Sequence, residues 1–219
     1  MTLLDYPERT ACTVFTGGCN LRCPYCHNAD LVRRPMEKRS AEAEVLEYLS
    51  ARRRLLDGVC ITGGEPLLQP DLLDFIGRVK EMGYAVKLDT NGRLPERLDR
   101  VLRSGLVDYV AMDLKHQPAR YAEAVGCEVD TEHFLRSIRI LEEGAVAHEF
   151  RTTAVKGIHE PRDFEVMAKL ISPETPYFIQ CFRDSGNLLG QGCGAFSEEE
   201  IEECLRFAKI SHKKTYIRG

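Results

Sequence analysis

An α/β fold with a parallel sheet and outer helices follows from two features of this sequence. Runs of strand character alternate with runs at helical spacing from residue 11 almost to the last residue. Most strand-like runs also end on a polar or glycine-rich motif, and in parallel folds chemistry gathers at the carboxyl ends of strands. A length of 219 residues, 43% of them hydrophobic, suits a single domain, 1–219, with one core.

The elements read in order as follows. Ala11 to Thr16 is apolar, with β-branched and aromatic residues, and reads as the first strand. A cysteine-rich loop follows it. Ser40 to Leu56 carries Val45, Leu46, Leu49, Leu55 and Leu56 at helical spacing, with Glu42 and Glu44 near its start. Gly58 to Thr62 is a second strand and runs into Gly63-Gly64-Glu65-Pro66, before a helix from Pro70 to Met82. Tyr84 to Leu88 is a third strand, ending at Asp89-Thr90-Asn91-Gly92. Leu94 to Ser104 is helical, and Gly105 is a natural stop. Val107 to Met112 is a fourth strand, ending at Asp113-Leu114-Lys115. Helical stretches cover Pro118 to Ala124 and Thr131 to Glu143. Ala147 to Val155 is the fifth strand, Pro161 to Ile171 a helix, and Tyr177 to Phe182 the sixth strand. Ser197-Glu198-Glu199-Glu200 has the pattern of a capping box opening a last helix. Lys214 to Arg218 reads as a final short strand.

Composition narrows the function classes. The net charge of −4 argues against a broad basic surface for nucleic acid. Arg52-Arg53-Arg54 is a local basic run at the end of a helix pattern. No apolar run reaches the roughly 18 residues that span a bilayer. The first residues lack the basic region and apolar core of a signal peptide. A cytoplasmic location with no membrane partner is expected.

The chemistry concentrates in Gly17-Gly18-Cys19-Asn20-Leu21-Arg22-Cys23-Pro24-Tyr25-Cys26-His27-Asn28. Thiolates at these spacings can converge on a soft metal centre. Three is the informative count, because a structural zinc site is closed by four protein ligands. A four-iron cluster on three cysteines keeps one iron open. A zinc knuckle completed by His27 is the competing reading, although His27 adjoins Cys26. A disulfide framework is disfavoured by the odd count. Cys12, Cys60, Cys127, Cys181, Cys193 and Cys204 show no second ligand spacing and read as small apolar residues.

Cys-x3-Cys-x2-Cys with an aromatic residue before the last cysteine resembles the signature of radical S-adenosylmethionine enzymes. Tyr25-Cys26-His27-Asn28 is similar to the glycyl-radical-enzyme activating proteins within that superfamily. Leu4-Asp5-Tyr6-Pro7 and Val14-Phe15-Thr16 resemble, more narrowly, the anaerobic ribonucleoside-triphosphate reductase activating proteins. Matching motifs run from Asp5 to Arg183.

The resemblance implies a partial (β/α)6 barrel with Cys19, Cys23 and Cys26 holding a [4Fe–4S] cluster at its rim. It implies that the open iron takes the amino and carboxylate groups of S-adenosylmethionine. Gly63, Gly64 and Glu65 match the segment that meets the methionine amino group. Glycines allow close backbone approach, and a carboxylate accepts hydrogen bonds from an ammonium. Tyr25 matches a residue beside the adenine, and Asn28 and Lys115 match positions that contact the cofactor. Asp89, Thr90 and Asp113 match positions that hold a monovalent cation in pyruvate formate-lyase activating enzyme. Read without the family, Asp89 could cap a helix and Asp113 bond to backbone. Arg151 projects from the fifth strand as a partner for a carboxylate. Gln180-Cys181-Phe182-Arg183 stands where that enzyme carries a histidine, and this is the main departure from the pattern.

The implied activity is activation of a glycyl radical enzyme, most closely an anaerobic ribonucleotide reductase, with flavodoxin or ferredoxin as electron donor. The alternative is a radical enzyme acting on a small molecule, of the 7-carboxy-7-deazaguanine synthase type. Asp-Thr-Asn-Gly and Met-Asp-Leu-Lys favour the activase. A non-catalytic metal-binding module is disfavoured, because it needs no polar motifs at several successive strand ends. No second cysteine cluster is inserted after Asn28.

Overall fold

The computed structural model describes residues 2, 5–33, 40–184 and 186–219. Leu4 of the opening motif lies outside them. Seven strands form one sheet: β1 (Ala11–Thr16), β2 (Gly58–Gly63), β3 (Ala85–Thr90), β4 (Tyr109–Asp113), β5 (Ala147–Ala154), β6 (Tyr177–Cys181) and β7 (Thr215–Arg218). Every strand pairs parallel with the next in sequence. Strands added in one direction, with helices on one side, curl into a barrel wall. Among the described residues the ladder runs from β1 to β7 without closing, so both edges stay open. The expected fold class is borne out, and the short last run is a seventh strand beyond the six βα units.

The helices are α1 (Ala29–Arg33), α2 (Glu42–Ala51), α3 (Leu72–Glu81), α4 (Pro95–Arg103), α5 (Tyr121–Val125), α6 (Thr131–Glu143), α7 (Asp163–Ala168) and α8 (Glu198–Lys209). Short 3-10 turns precede α3 and α5. The capping box at α8 forms as read: Glu200 N–H donates to Ser197 Oγ at 3.2 Å, and Ser197 N–H to Glu200 Oε2 at 2.8 Å. The helix expected over 40–56 is shorter. It stops at Ala51, where the chain turns so that Asp57 can pair with Thr10, and Leu55 is left 67% exposed. Burial of Leu55 therefore adds nothing to continue the helix.

Alternation along the strands separates two faces. Val59 and Ile61, Val86 and Leu88, Val110 and Met112, and Tyr177 and Ile179 join the hydrophobic core. The intervening positions on β3, β4 and β5 include Lys87, Asp89, Asp113, Glu149 and Arg151. The barrel therefore has an apolar outer layer under the helices and an ionic inner wall.

Candidate functional site

The loops after β1 and β2 touch backbone to backbone, which explains their glycines. Gly64 N–H donates to Thr16 O at 2.9 Å, and Glu65 N–H to Gly18 O at 2.8 Å. Gly63 has φ +123°, and a Cβ on Gly64 would lie 1.8 Å from Gly18 O. Only hydrogen fits there. This seam fixes the start of the cysteine loop against the end of β2.

The loop then folds on itself. Cys26 N–H donates to Cys23 O at 3.1 Å in a tight turn, and Arg22 Nη1 donates to Cys19 O at 2.7 Å. Cys23 is buried, while Cys19 and Cys26 are half-buried. All three line a cavity of about 290 Å³ at the carboxyl ends of the strands. Leu21 N–H points at Cys19 Sγ from 3.4 Å, the kind of donor that stabilises a metal-bound thiolate. Burial pushes the Cys23 thiol up to about 12 and raises Cys19, against the pull of the Leu21 amide. Such thiols ionise when a metal's charge is supplied.

The donor set fits a cluster with one open iron better than one closed zinc ion. Among the described residues, no three His, Cys, Asp or Glu side chains close on a single ion-sized point. Thiols that each bind a different iron have no need to. His27 packs its ring 5.2 Å from that of Phe182, which gives it an aromatic partner in place of the zinc the competing reading required.

The far wall is an ion-pair chain. Asp89 meets Lys87 Nζ at 2.5 Å and Arg151 Nη1 at 3.0 Å. Asp113 meets Arg151 Nε and Lys115 Nζ, each at 2.9 Å. Arg151 thus bridges two strand-end carboxylates, as its place on β5 suggested. Asp89 caps no helix, and the Asp113 carboxylate goes to cations, not to backbone. Burial works against the Asp113 charge, but Arg151 and Lys115 outweigh it and lower its pKa from 3.8 to about 2. A lowered carboxylate contributes stability above its unfolded pKa and loses it as pH falls through the folded one. Acid unfolding of the wild type should therefore steepen between pH 3.8 and about 2. Asp113→Asn should be weaker at neutral pH and less sensitive across that window. Parallel acid profiles by circular dichroism would show the assignment to be mistaken.

Glu65 is fully buried and is not among the residues that line the cavity. Its Oε1 accepts from Leu67 N–H at 3.0 Å and Thr90 Oγ1 at 2.8 Å; its Oε2 accepts from Asn91 N–H at 2.7 Å. Burial raises Glu65 to about 7, against these three donors. The carboxylate that the sequence suggested for a ligand's ammonium accepts these three bonds within the chain, and they tie the end of β2 to the end of β3. Gly63 and Gly64 themselves line the cavity, as do Asn28, Asp89 and Thr90.

Tyr25 is buried against His159, with ring centroids 6.5 Å apart, and lines the cavity. Its hydroxyl has no hydrogen-bond partner among the described residues. A buried orphan of this kind calls for a ligand or water. Behind it, Val155 N–H donates to His159 Nδ1 at 3.2 Å. The ring therefore carries its proton on Nε2 and donates to Lys115 O at 2.8 Å. Burial drives His159 down to about 4, so it stays neutral and fixes the Lys115 backbone.

Sequence reading missed Lys87, Asn91 and His159 as parts of the site. Lys87 carried a usable signal, since it stands two residues before Asp89 on the same strand face. Asn91 Nδ2 donates to Asn20 Oδ1 at 2.8 Å and lies 3.9 Å from Cys19 Sγ. No local pattern marks that approach. Gln180 does line the cavity where the histidine is lacking. Of the remaining cysteines, Cys12, Cys60 and Cys204 are buried as expected, while Cys127, Cys181 and Cys193 are half-buried.

An open parallel barrel in which three thiols and an ion-paired wall line one cavity defines an α/β protein with soft and charged donors gathered at the carboxyl ends of its strands. Comparison with known proteins makes this specific. The profile of the Radical SAM superfamily matches residues 13–171, and the chain belongs to that superfamily. It is 36% identical over its whole length to an inferred glycyl-radical enzyme activating enzyme of Methanocaldococcus jannaschii, covering 92% of that protein. It is 38% identical to the pyruvate formate-lyase-activating enzyme of Clostridium pasteurianum over 53% of this chain and 50% of that one. A 7-carboxy-7-deazaguanine synthase of Methanopyrus kandleri is 31% identical over 65% of this chain and 66% of that one. Among solved structures, Streptococcus suis SuiB bound to S-adenosylmethionine superposes with a TM-score of 0.73 at 14% identity. The match covers 98% of this chain and 51% of SuiB, and it speaks for the fold alone. The chain is a radical S-adenosylmethionine enzyme, as the cysteine loop suggested, and its family implies a [4Fe–4S] cluster and S-adenosylmethionine. No helix among the described residues is long and apolar enough to cross a membrane.

Proposed function

We propose that this chain is a single-domain, cytoplasmic activase that takes hydrogen from a glycine of a partner glycyl radical enzyme. The observation that carries the reading is the joining of two features in one cavity. Three cluster thiols and the Lys115–Asp113–Arg151 wall line one cavity at the carboxyl ends of a sheet whose edge strands, β1 and β7, are not paired with each other. The full-length similarity to the Methanocaldococcus jannaschii protein supports it.

Cys19, Cys23 and Cys26 would hold the cluster. Bound there, the cluster would supply one electron to cleave the carbon–sulfur bond of S-adenosylmethionine, giving methionine and a 5′-deoxyadenosyl radical. Lys115 and Arg151 offer charge-assisted hydrogen bonds to the cofactor carboxylate. Gly63 and Gly64 would meet its amino group through their backbone, Asn28 would contact it, and the orphan Tyr25 hydroxyl would find a partner on its adenosine; all four residues line the cavity. Asp89 and Thr90 shape the wall behind. Anaerobic ribonucleotide reductase is the partner favoured by the opening motif, with flavodoxin or ferredoxin as electron donor.

An open barrel side suits a peptide loop, whereas a small substrate is usually enclosed in a mostly apolar pocket. Here the inner wall is ionic. The similarity to 7-carboxy-7-deazaguanine synthases keeps a small-molecule reaction as the second reading. A test separates the two. Reduced protein should form 5′-deoxyadenosine faster with a peptide copying a glycine-radical loop, and deuterium from that glycine's α-carbon should appear in it. If neither peptide nor intact glycyl radical enzyme donates hydrogen and a small metabolite does, the second reading replaces the first.

A further inference from the structure

The family resemblance brings a monovalent cation to Asp89, Thr90 and Asp113, and the donors in this chain do not fit one. Asp89 is already held by Lys87 and Arg151, and Asp113 by Arg151 and Lys115. The Thr90 hydroxyl donates to Glu65 Oε1 at 2.8 Å and accepts from Gly92 N–H at 3.2 Å, so it serves the turn after β3. Three positive side chains stand against two carboxylates, which leaves one net positive charge; Glu149, two residues before Arg151, is paired with Arg218 and does not change that balance. An alkali ion would double that charge in a site where Lys87 is 1% exposed and Arg151 12%. Like charges brought together out of water repel strongly.

We infer that Arg151 does from within the chain what a bound alkali ion would do. Its planar fork spans the two strand ends, taking Asp113 through Nε and Asp89 through Nη1. That geometry suits a guanidinium and is closed to a lysine ammonium, which is a single point of charge. Both Arg151 and Lys115 face the cavity, and a guanidinium has five N–H donors. Donors therefore remain for one carboxylate of a ligand. The positive charge that neutralises the wall is covalently fixed, so the site is assembled at any alkali-ion concentration. Only the clause about a ligand carboxylate rests on the proposed function.

The test compares reconstituted protein in potassium, sodium and choline chloride at one ionic strength, so that general screening is constant. The unfolding temperature of the wild type should agree among the three salts, and thallium(I), a potassium probe, should show no saturable binding by NMR. Arg151→Gln removes the fixed cation. It should unfold earlier in choline, and potassium or sodium should restore roughly 3 °C or more by taking the place of the guanidinium between Asp89 and Asp113. Arg151→Lys keeps the charge but not the fork, so its gain from potassium or sodium should be smaller than that of Arg151→Gln. A wild type stabilised by potassium or sodium over choline, or one that binds thallium(I), overturns the inference. So does an Arg151→Gln variant that unfolds like the wild type in every salt. A separate arm measures S-adenosylmethionine binding by equilibrium dialysis. Wild-type affinity should change less than about twofold among the salts and fall at least about tenfold in Arg151→Gln in choline. Loss of cofactor binding by the wild type in all three salts would count against the cofactor roles proposed above, while the unfolding and thallium arms still decide the cation question.

Discussion

Cys23→Ala should abolish formation of 5′-deoxyadenosine. Cys23 is the most buried of the three loop thiols, and alanine offers no ligand in its place. Anaerobic reconstitution of the wild type should give about four irons per chain, and the variant should fall well below that. The fold should survive, because truncating one small buried side chain costs about 1 kcal/mol. Circular dichroism and unfolding temperature should therefore stay near those of the wild type. Cys204→Ala is the matched control: it is equally internal, lies on α8 outside the loop, and should keep its iron. A Cys23→Ala protein with full iron content and turnover, or stoichiometric zinc without iron in the wild type, would remove the cluster assignment.

The second large effect is expected at Glu65, through a different route from the one its motif suggested. Glu65→Ala strands Leu67 N–H, Asn91 N–H and the Thr90 hydroxyl in the interior. Leaving buried partners of a charged group unpaired costs about 3–5 kcal/mol. For a chain of this size that is a drop of roughly 10 °C in unfolding temperature. Cofactor affinity should fall as well, because Thr90 and Asn91 lose their anchor beside the cavity. Glu65→Gln keeps the volume and one acceptor, so it should lie between the two. The discriminating measurement is stability. A Glu65→Ala protein that unfolds like the wild type and has lost only cofactor affinity would return Glu65 to direct ligand contact.

Much of this was legible in the order of residues. The alternation of strand and helix patterns gives the parallel sheet, because period 2 and period 3.6 are local properties of the chain. Helix α6 has the bounds its pattern implied, Thr131–Glu143, with Asp130 capping it through Oδ1 to Glu132 N–H. Local geometry also marks the cysteine loop, since three thiols within eight residues can share a centre only if the loop bends as its glycines and proline allow. Less legible were boundaries where a turn competes with a helix, as at Ala51. The partners of charged side chains were equally hidden. Asp89 and Asp113 were found, but their cations come from the same strand, a neighbouring strand and the following loop.

The sequence by itself determined the fold class, the superfamily and the thiol loop, because each depends on spacings of a few residues. The tertiary structure alone decided how the ionic wall is neutralised and which donors meet Glu65. Arg151 meets Asp89 across 62 positions, and Glu65 meets Thr90 across 25. Such pairings are set by the register of parallel strands that long helical crossovers separate. One residue of slip would turn Arg151 out of the barrel and remove the bridge between Asp89 and Asp113, leaving each with only its lysine.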